Sequence, residues 1–221
     1  MKLIPINLNT VRSFLIVGRG EGLVLVDAGN PGDGEKILRE VRQAGYRPAD
    51  ISLVVLTHGH RDHVGGVVEL SRDLRAKILI HSKDAHALTR REESPTVPAD
   101  WKGRALEGVI PSRKAVPEKV EPDEFMEERV NLHGFGVDGE IIHTPGHTEG
   151  SLSVILDDGN AVVGDLIMGS LLLFGRASLP FFAVDLDEIK ASIEKVLAAE
   201  PSKIWPSHGG PYDPEDLRRL L

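Results

Sequence analysis

Three histidines, His58, His60 and His63, fall within six residues, and Asp62 sits among them. Packing alone does not call for such a cluster, and protonated imidazoles so close together would repel one another. Neutral imidazoles and a carboxylate facing one point are instead a donor set for a first-row divalent cation. His58 and His60 are two apart, so in extended chain they face the same way. Asp62 and His63 turn toward the opposite side of the loop, which offers two adjacent metal positions. Gly65 and Gly66 let the following backbone pack closely. Three later segments place a polar group beside glycine or proline at the expected end of a strand: Thr144-Pro145-Gly146-His147-Thr148, Gly164-Asp165 and Pro206-Ser207-His208-Gly209. Taken singly, each has an equally good structural reading. With the cluster, they supply the ligands that two metals would still lack.

The elements around these residues follow from hydrophobic periodicity. Ser13 to Val17 and Leu23 to Val26 are β-rich runs spaced as a hairpin. Asp33 to Ala44 has helical spacing, with Ile37, Leu38 and Val41 on one face and Gly45 at its end. Ile51 to Leu56 is nearly continuous in apolar residues, as in a strand buried on both faces. The histidine cluster comes next, then a helix expected over Val64 to Leu74, then a strand from Lys77 to Ile80. Strand–helix–strand spacing marks an α/β crossover, with the cluster at the carboxyl end of a strand, where open α/β sheets place their sites. Residues 90–128 are charged and interrupted by Pro95, Pro98, Pro111, Pro117 and Pro122. They read as an irregular insertion with a short helix around Trp101, either a lid over the site or a surface excursion. Strands resume at Gly139 to His143, Leu152 to Leu156 and Ala161 to Gly164, with Asp157 to Asn160 as a turn between the last two. A helix over Leu186 to Ala199 and a strand over Lys203 to Trp205 complete one domain spanning residues 1–221.

Composition narrows the function classes. With 26 basic and 34 acidic residues the formal charge is −8, which disfavours a nucleic-acid partner. The chain has no cysteine, so disulfides, thiolate ligands and a Cys nucleophile are excluded. The N-terminus lacks a signal-like apolar run. The longest apolar candidate, Leu166 to Val184, is broken by Gly169, Gly175, Arg176 and Pro180 and falls short of the ~20 residues of a membrane span. A cytoplasmic protein without a membrane partner is expected. Oligomeric state is not readable.

The motifs, in order from Asp27-Ala28-Gly29 to His208, resemble those of the metallo-β-lactamase fold superfamily. His-x-His-x-Asp-His is matched at 58–63, and the later His, Asp and His motifs at 147, 165 and 208. The resemblance implies an α/β (α+β) fold, a four-layer αββα sandwich with the metals at one edge. It places His58, His60 and His147 on a first metal and Asp62, His63 and His208 on a second, with Asp165 bridging them. Asp27 matches an early aspartate that buttresses a loop rather than ligating. The implied cofactors are two divalent ions, with zinc preferred and iron or manganese also suited to the nitrogen–oxygen donors. Two such ions lower the pKa of a shared water, and the resulting hydroxide attacks a carbonyl or phosphorus. Asp62 is the candidate acceptor of its proton. β-Lactamases usually carry cysteine where this chain has Asp165, and diiron oxygen reductases carry glutamate where it has His60. What remains is similar to glyoxalase II, lactonases and phosphodiesterase-like members. The chain ends soon after His208, without the helical domain that glyoxalase II adds. The expected activity is hydrolysis of a small-molecule ester, thioester or lactone. The alternatives are a mononuclear iron persulfide dioxygenase and a nucleic-acid phosphodiesterase.

His81 follows a strand and could approach the site, while His86, His133 and His143 read as surface or core. Leu171 to Phe174 and Leu179 to Phe182 read as core, or alternatively as an apolar pocket wall. Arg176 reads as solvated, or alternatively as a contact for an anionic group.

Overall fold

The computed structural model describes residues 1–20, 22–107, 114–169 and 175–221. The chain opens with strands β1 (Lys2–Asn7), β2 (Arg12–Val17) and β3 (Leu23–Val26), then helix α1 (Asp33–Gln43) and β4 (Ile51–Val55). Helices α2 (Arg61–Val64) and α3 (Val67–Asp73) lead to β5 (Lys77–His81), α4 (His86–Thr89) and α5 (Trp101–Glu107). Strands β6 (Glu124–Met126), β7 (Arg129–Asn131), β8 (Gly139–His143), β9 (Leu152–Leu156) and β10 (Asn160–Gly164) follow. A small ribbon of β11 (Met168–Gly169) and β12 (Ala177–Ser178) precedes α6 (Leu186–Ala198), β13 (Lys203–Pro206) and α7 (Pro214–Arg218).

Strands β1 to β6 form one sheet in sequence order, and the second sheet runs β13-β10-β9-β8-β7. From β3 to β6 the first sheet is parallel. Because successive side chains leave a strand on opposite faces, each central strand feeds two apolar layers. Leu15, Leu25, Val54 and Ile80 pack outward with Ile37, Leu38 and Val41 of α1 and Val67 and Leu70 of α3. Their neighbours Phe14, Ile16, Val24, Val26, Leu53 and Val55 face inward onto Ile141, Val154 and Val162 of the second sheet. That sheet's other face, with Ile142, Ile155, Ala161 and Val163, is covered by Ile189, Ile193 and Val196 of α6. Three apolar interfaces between helix, sheet, sheet and helix make the four-layer αββα sandwich, and they explain why β4 is apolar on both faces.

Three local departures from expectation have physical causes. The helix expected over Val64 to Leu74 is two helices, and the first begins inside the histidine cluster at Arg61. Gly65 and Gly66 part them because the chain there is pressed against the loop after β3. A Cβ on Gly66 would lie 2.3 Å from the Ala28 carbonyl oxygen, and one on Gly65 2.4 Å from the Pro31 nitrogen. Strand β1 went unread because Pro5 interrupts its pattern, which an edge strand tolerates. Strands β6 and β7 lie at the end of the expected insertion.

Described residues of that segment are hydrogen-bonded to the site region. The Ser94 amide donates to the Gly59 carbonyl (3.2 Å). The Arg61 amide donates to Glu93 Oε1 (2.9 Å), and Arg61 Nη1 to the Lys114 carbonyl (2.7 Å). On its other side, the Ala99 amide donates to the Phe181 carbonyl and the Ala183 amide to the Val97 carbonyl. Leu171 to Phe174 lie outside the described residues. Among the described residues, no helix is long and apolar enough to cross a membrane.

Candidate metal centre

The chemistry-bearing side chains gather at the carboxyl ends of strands from both sheets. Asp27 directly follows β3, and the turn carrying His58 to His63 follows β4. The His147 turn follows β8, Asp165 directly follows β10, and His208 lies just beyond β13. Gly146 has φ of 126°, and a Cβ there would meet the Ile189 amide nitrogen at 2.5 Å. Only glycine therefore lets the His147 turn sit against the start of α6.

The histidine rings are oriented from behind. Thr57 Oγ1 donates to Asp27 Oδ2 (2.9 Å), so it can only accept from His58 Nδ1 (3.0 Å). His147 Nδ1 donates to the Phe182 carbonyl (2.8 Å), His208 Nδ1 to the Thr10 carbonyl (2.8 Å), and His63 Nδ1 to Asp27 Oδ2 (2.8 Å). Each of these rings thus presents Nε2 to the centre, as ligating histidines held by an outer hydrogen bond do. Asp27 is fully buried and has φ of 63°, an uncommon conformation for a residue other than glycine. Its carboxylate also accepts the Thr57 amide (2.8 Å) and the Ser207 hydroxyl (3.4 Å). It is a brace, as expected.

Two groups result. In the first, His58 Nε2 and His147 Nε2 lie 3.1 and 3.0 Å from His60 Nδ1. Both Nε2 atoms carry lone pairs, and a single His60 proton can satisfy only one of them. His60 Nε2 itself is buried without a partner. In the second, His208 Nε2 lies 3.4 Å from Asp62 Oδ2, and His63 Nε2 lies 3.7 Å from Asp62 Oδ1. Asp165 Oδ2 stands between the groups, 3.6 Å from His63, 3.7 Å from His147 and 3.4 Å from His208. His63 Nε2 and Asp165 Oδ1 are also buried and unpartnered. Orphaned buried polar atoms are costly, and here they converge. His58–His60–His147 and Asp62–His63–His208 are each spaced to hold a metal ion, and Asp165 joins His58 and His63 in a third such set. The residues therefore fit the cations they were expected to bind.

The two groups differ in charge. Burial, then the neighbouring His63 and His147 rings, hold His58 well below the ordinary histidine value. Burial and His60 lower His147 to about 4. Burial would lower His63 too, but Asp165, Asp62 and Asp27 outweigh it and raise it well above that value. Asp165 raises His208 to about 10. Burial would raise Asp62 and Asp165, but the facing histidines outweigh it and hold both low.

Residues 7–208 match the family model of the metallo-beta-lactamase superfamily. The chain belongs to that superfamily. Superfamily relatives include the Probable metallo-hydrolase YflN of Bacillus subtilis, 26% identical over 219 residues, covering 90% of this chain and 79% of the relative. The Probable metallo-hydrolase MJ0888 of Methanocaldococcus jannaschii is 27% identical over 201 residues, covering 89% and 86%. Among solved structures, TTHA1623 in a di-iron-bound form has a TM-score of 0.68 at 26% identity, covering 100% of this chain and 98% of that one. The Rm3 metallo-beta-lactamase, with a TM-score of 0.67 at 23% identity and coverage of 93% and 74%, shares the superfamily fold.

Within this superfamily scaffold, the residues that sequence placed apart from the site mostly stay apart. His81 is buried but stacks on His143 with ring centroids 4.1 Å apart, and its Nε2 donates to the Glu127 carbonyl. It is therefore a link between sheets and belongs to neither metal group. His133 is exposed and His86 half-buried. Arg176 is exposed, in keeping with a solvated arginine. Leu179 packs against the α6 layer, while Phe181 and Phe182 remain half-buried, and the Phe182 carbonyl accepts from His147. One residue was passed over. Asp84, three residues past β5, is 2% exposed and accepts the Gly59 amide (2.9 Å) and the Thr148 hydroxyl (2.7 Å). Its only signal in sequence was a carboxylate shortly after a strand, as at Asp27 and Asp165.

Proposed function

We propose that this chain is a dinuclear metal-dependent hydrolase of a small ester, thioester or lactone. His58, His60 and His147 would hold one cation, Asp62, His63 and His208 the other, and Asp165 would join them. The observation that carries the reading is the pair of fixed lone pairs on His58 and His147, aimed at His60 Nδ1 with no proton for both. When bound, two divalent ions supply an activated water and an electrophile for the substrate oxygen. The residues of the chain do the rest. Asp27 and the Phe182 and Thr10 carbonyls hold the rings, so no reorientation is needed during turnover. Asp62 is one-third exposed against 7% for Asp165. It is ionised and reachable from the open side, and it takes up the proton that the attacking water gives up. Phe182, half-buried next to His147, offers an apolar flank to the substrate. Zinc suits the donors. The di-iron-bound form of TTHA1623 makes iron the competing choice.

Metal analysis of the purified chain, followed by a panel of lactone, thioester, phosphodiester and β-lactam substrates, tests the proposal. Two metals per chain and cleavage of an acyl substrate are expected. Fewer than two metals with no acyl cleavage would overturn it, and oxygen uptake with glutathione persulfide would replace it by the dioxygenase. Asp165→Ala should lose the second metal and the activity together, and retention of both would remove the bridging role.

A further inference from the structure

Asp84 belongs to neither proposed metal group, yet one of its atoms touches both loops that build the first. Its Oδ2 accepts the amide of Gly59, which lies between His58 and His60, and the hydroxyl of Thr148, which follows His147. The first loop extends from β4 in one sheet, and the second joins β8 to β9 in the other. Asp84 sits on the short turn after β5 and reaches between them. The His147 loop is folded tightly over it: a Cβ on Gly150 would lie 2.8 Å from Asp84 Cγ. Asp27 cannot do this work, because its bonds go to Thr57, His63 and Ser207 and touch neither His60 nor His147. A three-nitrogen group drawn from two sheets needs its halves held at one separation, and a metal site loosened by a fraction of an ångström loses affinity.

We infer that Asp84 is a positioning residue for the three-histidine group: it sets the distance between His58–His60 and His147 by binding both loops through one buried carboxylate oxygen. The inference rests on the two-metal reading above. It divides the bracing of the centre between two aspartates, Asp27 behind His58 and His63, and Asp84 behind His60 and His147.

Cobalt(II) titration of the full chain, read by absorption and by competition with a chelator, tests it. Wild type should take up two ions. Asp84→Ala, folded by circular dichroism, should bind one of them about 10- to 100-fold more weakly, with an altered cobalt spectrum for that ion and an unchanged one for the other. Asp84→Asn should restore wild-type binding, because an amide oxygen accepts the same two donors. If Asp84→Ala does not fold, Thr148→Val replaces it and should weaken the same ion. Two wild-type affinities and an unchanged spectrum in the folded variant would overturn the inference. Uptake of fewer than two ions by wild type would instead overturn the two-metal reading, and with it the inference that depends on it.

Discussion

His147 and His208 each donate Nδ1 to a backbone carbonyl at 2.8 Å, yet one is lowered to about 4 and the other raised to about 10. What differs is what their Nε2 atoms face. His147 is buried against His60, and burial and that ring together outweigh the pull of Asp165 at 3.7 Å and disfavour a positive charge. His208 meets two carboxylates. Without metal, His58 and His147 are therefore held neutral, while His63 and His208 carry protons that a cation must displace. We expect the metal held by His58 and His147 to displace no proton from either of those rings at neutral pH, so its affinity should depend less steeply on pH than that of the other. The other should tighten by up to about tenfold per pH unit for each proton displaced, as far as the raised value of His208. Titrations at several pH values, with proton release followed in weak buffer, would show this, and two equally pH-independent affinities would contradict it. The linkage also has a sign for stability. The ion pairs of His208 stabilise the metal-free fold below the unfolded histidine value and are lost as pH rises through about 10. Neutral His147 works the other way, and its contribution is lost as pH falls from the unfolded value toward about 4.

At the scale of elements, one expected helix is divided into α2, which carries Asp62 and His63, and α3, which packs on the first sheet. Gly66→Ala should cost about 1–3 kcal/mol in urea denaturation, because the added methyl meets the Ala28 carbonyl and the backbone must shift. A loss of metal from the Asp62–His63–His208 group should accompany it, and an unchanged unfolding midpoint would show that the loop after β3 yields freely. This break also marks where sequence was legible and where it was not. Helix α1 could be read because Ile37, Leu38 and Val41 repeat on one face. The candidate ligands could be named because three histidines and a carboxylate crowd residues 58–63 and the later motifs at 147, 165 and 208 match the family resemblance in order. The break could not, since Val64, Val67, Val68 and Leu70 keep an apolar stripe across it, and what parts the helices is contact with residues far back in the chain. Asp84 could not either. A lone carboxylate has no periodicity, and its partner Thr148 lies 64 residues away.

At the scale of the whole molecule, the two large sheets and their helices close over three apolar layers among the described residues, with the candidate centre at the seam between those sheets. The Leu152 amide donates to the Thr57 carbonyl at 2.8 Å across that seam. A cation bound there would hold the halves together in addition to the core. At a thousandfold excess over Kd, one bound ion contributes about 4 kcal/mol. For a chain of this size that corresponds to a fall in Tm of about 10 °C on chelation. Calorimetry with and without a chelator measures it, and an unchanged Tm would mean the seam is held by packing alone.

The compactness of the His58–His63 cluster has a consequence before any of this is assembled. His147 and His208 reach the centre only once both sheets are docked, whereas His58, His60, Asp62 and His63 are neighbours even in an unfolded chain. A newly made or denatured chain can thus capture a cation on half a ligand set, and binding to the unfolded chain subtracts from what metal adds to the native one. Refolding in excess zinc, followed by tryptophan fluorescence, should be slower than refolding in chelator with zinc supplied afterwards. Equal rates would show that this stretch ignores metal until the fold presents it. Slower refolding in zinc would make loading after folding the kinetically clean route to the finished protein.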